Sequence, residues 1–423
     1  MGDRPRAGLA GIPPERRILV LVGAFASAAV LLLAIVALRG GDGDSSDDRA
    51  AAVWENNRRA VIDTRPATTR TTVAESTTTT TPPTPDRITL LFAGDLLPHS
   101  PVNERAAALG GSSGRRYDYA PMFDEMRPTI SGADLAICHM EVPSAPDGER
   151  VTSYPSFGAP PELVDGAHSA GYDGCSTASN HSLDRGKAGI KRLLDQFDAD
   201  GMKHAGTART QQEADTTTVY DVHGVRVAHL SYAYDFNGYK LPADAPWSAN
   251  KIDVAKIRAA AAKARSEGAD LVVLSLHFGN EYQHDPSDYQ RSIVDQLLPS
   301  KDISVIIGHH AHVVQPIEKV DGTFVVWGLG NQLSNQTQAP RRDGLTVRLN
   351  AGRGADGRWT ISTIDAIPTY VDLPSFEVYP VVESLSDPST PARLRPELEA
   401  SYDRTAEVLA KIPTAGVTLA PKP

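Results

Sequence analysis

The stretch IIGHHAHVVQ, Ile306–Gln315, places three histidines, His309, His310 and His312, within four positions at the end of the apolar run ISVIIG. A near-continuous run of β-branched residues reads as a strand covered on both faces. Imidazoles at its carboxyl end are either a polar loop or metal ligands delivered by the strand. His310 and His312 alternate. In an extended segment alternate side chains point the same way, so the pair is expected to face one ion.

The same pattern recurs on both sides of this stretch. ITLLFAG (Ile88–Gly94) runs into Asp95, with His99 close behind, and ADLAICHM (Ala133–Met140) brings His139 and ends against Glu141. STASNHSLDRG carries Asn180, His181 and Asp184. ADLVVLSLH (Ala269–His277) ends in His277, followed by Glu281 and Tyr282, and TFVVWGLG (Thr323–Gly330) leads into Asn331. VRVAHLSYAY (Val225–Tyr234) is a further strand. Helical spacing appears over Lys187–Phe197, Asp253–Arg265 and Asp288–Leu298. Strands alternating with helices argue for an α/β fold, in which sites gather at the carboxyl ends of the strands. VRLNAGRGADGRWTISTIDAIPTYV, Val347–Val371, reads as an antiparallel hairpin turning at GADG, so the sheets are mixed.

The flanks differ in kind. Ile18–Leu38 is uncharged and long enough to span a bilayer, with Arg4, Arg6, Arg16 and Arg17 before it and Asp42, Asp44, Asp47 and Asp48 after it. This predicts a single-pass anchor in the cell membrane with residues 1–17 cytoplasmic and the bulk of the chain outside; a cleaved signal peptide, whose apolar region is usually shorter, is the rival. Residues 39–86, rich in Thr and Pro, read as a disordered linker. Residues 87–371 form the expected domain. Residues 372–423 form an extension with one helix over Pro396–Ile412 and a frayed tail. Net charge is −10, with no basic tract beyond the N-terminus, which argues against nucleic acid as a partner. The two cysteines, Cys138 and Cys175, are buried thiols or, outside the cytoplasm, a disulfide between neighbouring strands.

Carboxylate, amide oxygen and imidazole without thiolate suit divalent Mn, Fe, Zn or Ni, and a set this large suits two ions. Asp95, Glu141, Asn180, His277, His310 and His312 are the candidate ligands. His99, His139, Glu281, His309 and Asn331 are further candidates. His181 is the candidate general acid or transition-state donor, with Asp184, three residues on, orienting its ring.

The ordered series LLFAGDLL, ADLAICHMEVP, GYDGCSTASNHSLDRGKAGI, LSLHFGNEY, IIGHHAHVVQPIE and WGLGNQLSN resembles the CapA-type poly-γ-glutamate capsule biosynthesis family, a branch of the calcineurin-like metallophosphoesterases. The resemblance spans about Arg87–Tyr370. It implies a two-sheet β-sandwich flanked by helices with metals at the strand ends. It also implies that Asp95, Glu141, Asn180, His181, His277, His310 and His312 occupy the metal-site positions. The chain departs from the family at His139, where Asn is usual, at Ser179, Phe278 and Ala311. The resemblance implies a hydrolase or transferase acting on an anionic polymer or phosphoester at the cell surface. A non-catalytic subunit of a polymer synthase complex and a general surface phosphoesterase are the alternatives.

Overall fold

The computed structural model describes residues 85–423. The expected membrane span at Ile18–Leu38 and nearly all of the Thr/Pro-rich linker lie outside those residues. Among the described residues no helix is long and apolar enough to cross a membrane.

Two mixed sheets pack face to face. The first is built around β1 (Arg87–Leu97), β2 (Leu135–Met140), β3 (Gly174–Ser176) and β4 (Lys203–Ala205), all parallel neighbours. The second contains β5 (Thr218–Val222), β6 (Val225–Ala233), β7 (Leu271–His277), β8 (Val305–His309), β9 (Ile317–Val320) and β10 (Thr323–Val326), in the order β5-β6-β7-β8-β10-β9. The first sheet continues on the other side of β1, which pairs with β11 (Asn331–Ser334) in parallel and with β12 (Asp343–Arg353) antiparallel. β12 and β13 (Trp359–Val371) form the expected hairpin, with Gly357 at φ +80° in its turn.

Period-two alternation decides the layers. Leu90, Phe92 and Ile137 face Val227, Val273, Val305, Ile307 and Val326 of the opposite sheet, forming one buried core. Their neighbours Leu91, Ala136 and Cys138 face outward under α1 (Ser100–Ser113), α2 (Glu162–Ala170) and α3 (Gly186–Ala199), which contribute Val102, Leu163 and Leu194. On the other side Val272, Leu274 and Ile306 lie under α4 (Val254–Ser266) and α5 (Asp288–Leu297), which contribute Ile257, Val294 and Leu297. The result is a helix–sheet–sheet–helix sandwich. Both outer helices of the second sheet start where the sequence supplies caps. Asp253 accepts the N–H groups of Ala255 and Lys256, and Ser287 with Gln290 forms a capping box.

The C-terminal residues differ from expectation. β14 (Val378–Pro380) and β15 (Val417–Leu419) both pair with β13. A short helix at Val381–Ser386 precedes the expected one, α6 (Arg395–Ala410). The tail expected to fray is therefore the partner of a strand in the first sheet. A three-residue strand has too little pattern to be read alone, and β13 supplies its hydrogen bonds. α6 is fixed to the sheet by Arg404, which donates twice to Asp343 at 2.6 and 2.7 Å. Cys138 and Cys175 are in register on β2 and β3 and form a disulfide.

Candidate metal centre

Following the inward face of each central strand toward its carboxyl end, the side chains change from apolar to ionisable. On β2, Leu135 and Ile137 are followed by His139, with Glu141 two residues beyond. On β7, Leu271 and Val273 are followed by Ser275 and His277. On β8, Val305 and Ile307 are followed by His309. On β1 the alternation would turn Asp95 outward. A bulge corrects this: Phe92 pairs with Ile137 but Asp95 with His139, so one extra residue brings Asp95 to the inner face. Gly94 makes the bulge possible, since a Cβ there would lie 2.2 Å from the carbonyl oxygen of Gly330. The adjacent N–H of Asp95 donates to that same oxygen at 2.9 Å.

Asp95, His139 and Glu141 are wholly buried. Asp95 gathers the β8 end: its Oδ1 lies 3.2 Å from His309 Nδ1, its Oδ2 accepts the His310 N–H at 3.2 Å, and His312 Nδ1 is 3.3 Å away. Asn331 Oδ1 lies 2.9 Å from the same His312 nitrogen, which leaves His312 Nε2 turned toward Glu141 Oε1 at 3.6 Å. Asp95, Glu141 and His312 thus present ligand atoms to a common point, and Glu281, His310 and His312 do the same. His277 Nε2 lies 2.9 Å from Asn180 Oδ1, and the His277 and His310 ring centroids are 4.7 Å apart. His181 Nδ1 is 2.6 Å from Asp184 Oδ2, and Asp184 also accepts the N–H of Phe157 at 2.7 Å. All six candidate ligands and the His181–Asp184 pair therefore belong to one contiguous cluster.

His310 and His312 converge by a different route from the one their spacing predicts. The segment after β8 is not extended: His310 has φ +90° and His312 φ +54°. Two non-glycine residues in that region cost about 1–3 kcal/mol each. The Asp95 bond to His310, the Asn331 contact to His312 and the Tyr282 N–H, which donates to Ala311 O at 2.7 Å, hold the turn.

The further candidates take other positions. His139 Nδ1 is 2.7 Å from Ser176 Oγ and its Nε2 is 3.0 Å from His277 Nδ1, so both nitrogens are engaged behind His277. Its ring stacks on His309 at 4.0 Å between centroids. Asn331 spends its amide N–H on Arg341 O, at 2.8 Å. His99 stands edge-on to Phe157 and lies 3.3 Å from the N–H of Asn335. Glu281 is exposed at the rim.

Whether the pocket fits a cation is decided by its orphaned atoms. Both carboxylate oxygens of Glu141 are buried without a hydrogen-bond partner, as are His310 Nδ1 and His309 Nε2. A buried carboxylate with no donor is costly unless a cation meets it. Burial, reinforced by the charges of Asp95 and Glu281, pushes the Glu141 carboxyl well above its usual range. Burial acts the same way on Asp95, but the hydrogen bonds from His309 and His312 outweigh it and hold that carboxyl low. Burial and the charge of His312 bring His310 down to about 3. The neutral His310 imidazole is the form a divalent ion requires, and His312, held protonated against burial by Glu141 and Asp95 in the metal-free protein, gives up its proton on binding.

Several residues at the mouth were not read from the sequence. Asn237, in the left-handed region at φ +49°, contacts both Asn180 and His181 at 3.3 Å. The Tyr234 ring lies 4.7 Å from that of His310. Arg341 stacks over the exposed Tyr282 ring, 3.4 Å from its centroid, and Tyr282 in turn lies 6.1 Å from the His312 ring. None has a motif of its own. Gly238 after Asn237 and the ArgArg pair at 341–342 were the available cues. A cavity of about 1020 Å³ is lined by Lys203, His204, Arg226 and Lys263 and by none of the candidate ligands. Lys263 there is already paired with Glu267.

Comparison with known proteins follows this geometry. Capsule biosynthesis protein CapA of Bacillus anthracis is 25% identical over 272 residues, 63% of this chain and 64% of that protein. PGA biosynthesis protein CapA of Bacillus subtilis is 29% identical over 228 residues, 51% of this chain and 57% of that protein. The chain thus spans less than two thirds of the length of these relatives. Among solved structures, a phosphatase from Mycoplasma pneumoniae overlaps with a TM-score of 0.42 at 11% identity, covering 69% of this chain and 96% of that one. The calcineurin-like phosphoesterase YfkN from Bacillus subtilis gives 0.39 at 15% identity, covering 76% of this chain and 98% of that one. Residues 89–336, which contain every candidate ligand, match the family described as bacterial capsule synthesis protein PGA_cap, and the chain belongs to that family.

Proposed function

We propose that this protein is a metal-dependent hydrolase or transferase that acts on an anionic surface polymer, poly-γ-glutamate or a related one, during its synthesis, release or export. The observation that carries the reading is the orphaned carboxylate of Glu141, buried among imidazoles with no donor of its own. Asp95, Glu141 and His312 would hold one divalent ion. Asn180, His277 and His310 would hold a second. Such ions polarise a phosphoryl or acyl oxygen and lower the pKa of water.

The rest of the chemistry belongs to the chain. Asp184 accepts from His181 Nδ1–H, which fixes the ring and leaves Nε2 to hold or give up a proton at the leaving group. Phe157 packs edge-on to His181 at 4.7 Å and shields that side from water. Arg341 has no carboxylate partner among the described residues and is pinned on Tyr282 beside His312. It offers a cation to a carboxylate or phosphate of the substrate. The capsule-related names of the Bacillus relatives support the polymer. The apolar Ile18–Leu38 run supports a membrane anchor with this domain outside the cell.

The test is complementation combined with assay. Metal-loaded protein is offered phosphodiester and γ-glutamyl substrates, and a strain lacking the protein is supplied with the Asn180→Ala/His181→Ala variant. Turnover that the double variant loses, together with loss of polymer, is the expected result. Full polymer production by the variant would favour a scaffolding subunit of a synthase complex.

A further inference from the structure

His139 is wholly buried, and each of its ring nitrogens has one partner. The contacts continue on both sides. Ser176 Oγ is 2.7 Å from His139 Nδ1, His139 Nε2 is 3.0 Å from His277 Nδ1, and His277 Nε2 is 2.9 Å from Asn180 Oδ1. Ser176 Oγ has a second acceptor within reach, the carbonyl of Cys138 at 3.4 Å. A neutral imidazole carries one N–H and one lone pair, so fixing a single proton in such a line fixes all of them.

Two settings satisfy the line. The Asn180 oxygen only accepts, so without a metal His277 is protonated at Nε2. His139 Nε2–H then donates to His277 Nδ1, and the Ser176 hydroxyl donates to His139 Nδ1. When His277 Nε2 becomes a ligand, its proton must sit on Nδ1 and donate to His139 Nε2. His139 is then protonated at Nδ1 and donates to Ser176, whose hydroxyl turns to the Cys138 carbonyl. Each ring keeps one proton and Ser176 keeps its own, so the two settings have the same charge.

We propose that His139 and Ser176 are positioning residues for His277, a two-setting tautomer relay that selects the His277 nitrogen facing the metal. A histidine ligand usually donates its other N–H to such a partner, and the relay supplies an acceptor that reverses. The competing role, an ion shared by Asp95, His139 and His309, is disfavoured by geometry. The His139 and His309 rings lie 16° from parallel at 4.0 Å, so their lone pairs run side by side and do not converge.

The relay rests on His277 being a ligand, and one experiment separates the two ideas. The full-length protein, labelled with ¹⁵N-histidine and stripped of metal, is titrated with Zn²⁺ while the tautomer of each ring is read by NMR. His139 and His277 are expected to change together from the Nε2–H to the Nδ1–H form. His139→Ala is expected to weaken Zn²⁺ about 10–100-fold, with part of the loss recovered in His139→Gln and a smaller loss in Ser176→Ala. A His277 that switches while His139 does not move would overturn the relay alone. A His277 indifferent to Zn²⁺ would overturn the relay and the metal reading together. Should His139→Ala not fold, the tautomer measurement on the unaltered chain still decides.

Discussion

The two halves of the sandwich interior are made by the same four strands and are equally dry, yet they answer to different requirements. Leu90, Ile137, Val273 and Ile307 are at most 1% exposed; Asp95, His139, His277 and His309 are at most 2% exposed. In the first group burial is itself the driving force, about 25 cal/mol per Å² of apolar surface. In the second, burial opposes the charged forms and must be offset by hydrogen bonds or a cation. One half should therefore govern whether the chain folds, and the other what it binds.

The sharpest way to break that division is at Glu141. Glu141→Gln should reduce bound divalent metal by about 10–100-fold or more, measured by equilibrium dialysis and elemental analysis. The metal-free variant should stay folded and melt close to the parent, since neither Glu141 oxygen has a hydrogen-bond donor and the change gives up only the 3.6 Å contact with His312 Nε2. A variant that unfolds would show that the polar half is structural after all. Ile307→Ala tests the other half. It should lose about 2–5 kcal/mol in denaturant unfolding while the folded fraction keeps its metal content. The smallest effect concerns pH. Burial lowers the His312 pKa, but the carboxylates of Glu141 and Asp95 outweigh it and raise it to about 9. The pKa is higher folded than unfolded, so the stabilisation is complete below pH 6.5 and is lost as pH rises through about 9. The melting temperature of metal-free protein should fall across that window, and His312→Asn should flatten the fall.

The same division explains what the sequence made legible. Long apolar runs such as Leu271–His277 announce themselves because their partners on both faces are apolar. The polar groups at their ends were conspicuous for the same reason. Short strands were not. Asn331–Ser334 is a strand because β1 lies beside it, and Gly174–Ser176 because β2 and β4 flank it. Neither carries enough alternation to be recognised alone. Within the cluster, the types and order of the ligands could be read, but not how they converge. Asp95 faces inward only because of a bulge, and His310 and His312 meet only because the chain leaves the extended region. Asn237, Ser176 and Arg341 take their places through contacts more than 30 residues away in sequence or, for Arg341, through an aromatic ring on another loop.

The meeting of Gly94 with Gly330 carries a consequence for anyone redesigning this protein. Side chains lining the pocket can be exchanged to suit a softer or larger ion, provided the partners that hold them are changed with them. The gap between these two segments cannot be tuned that way, since it is set by main chain against main chain with no room for a methyl group. Widening the pocket would mean rebuilding both segments in concert, so the aperture is a property of the scaffold and not of the ligands it displays.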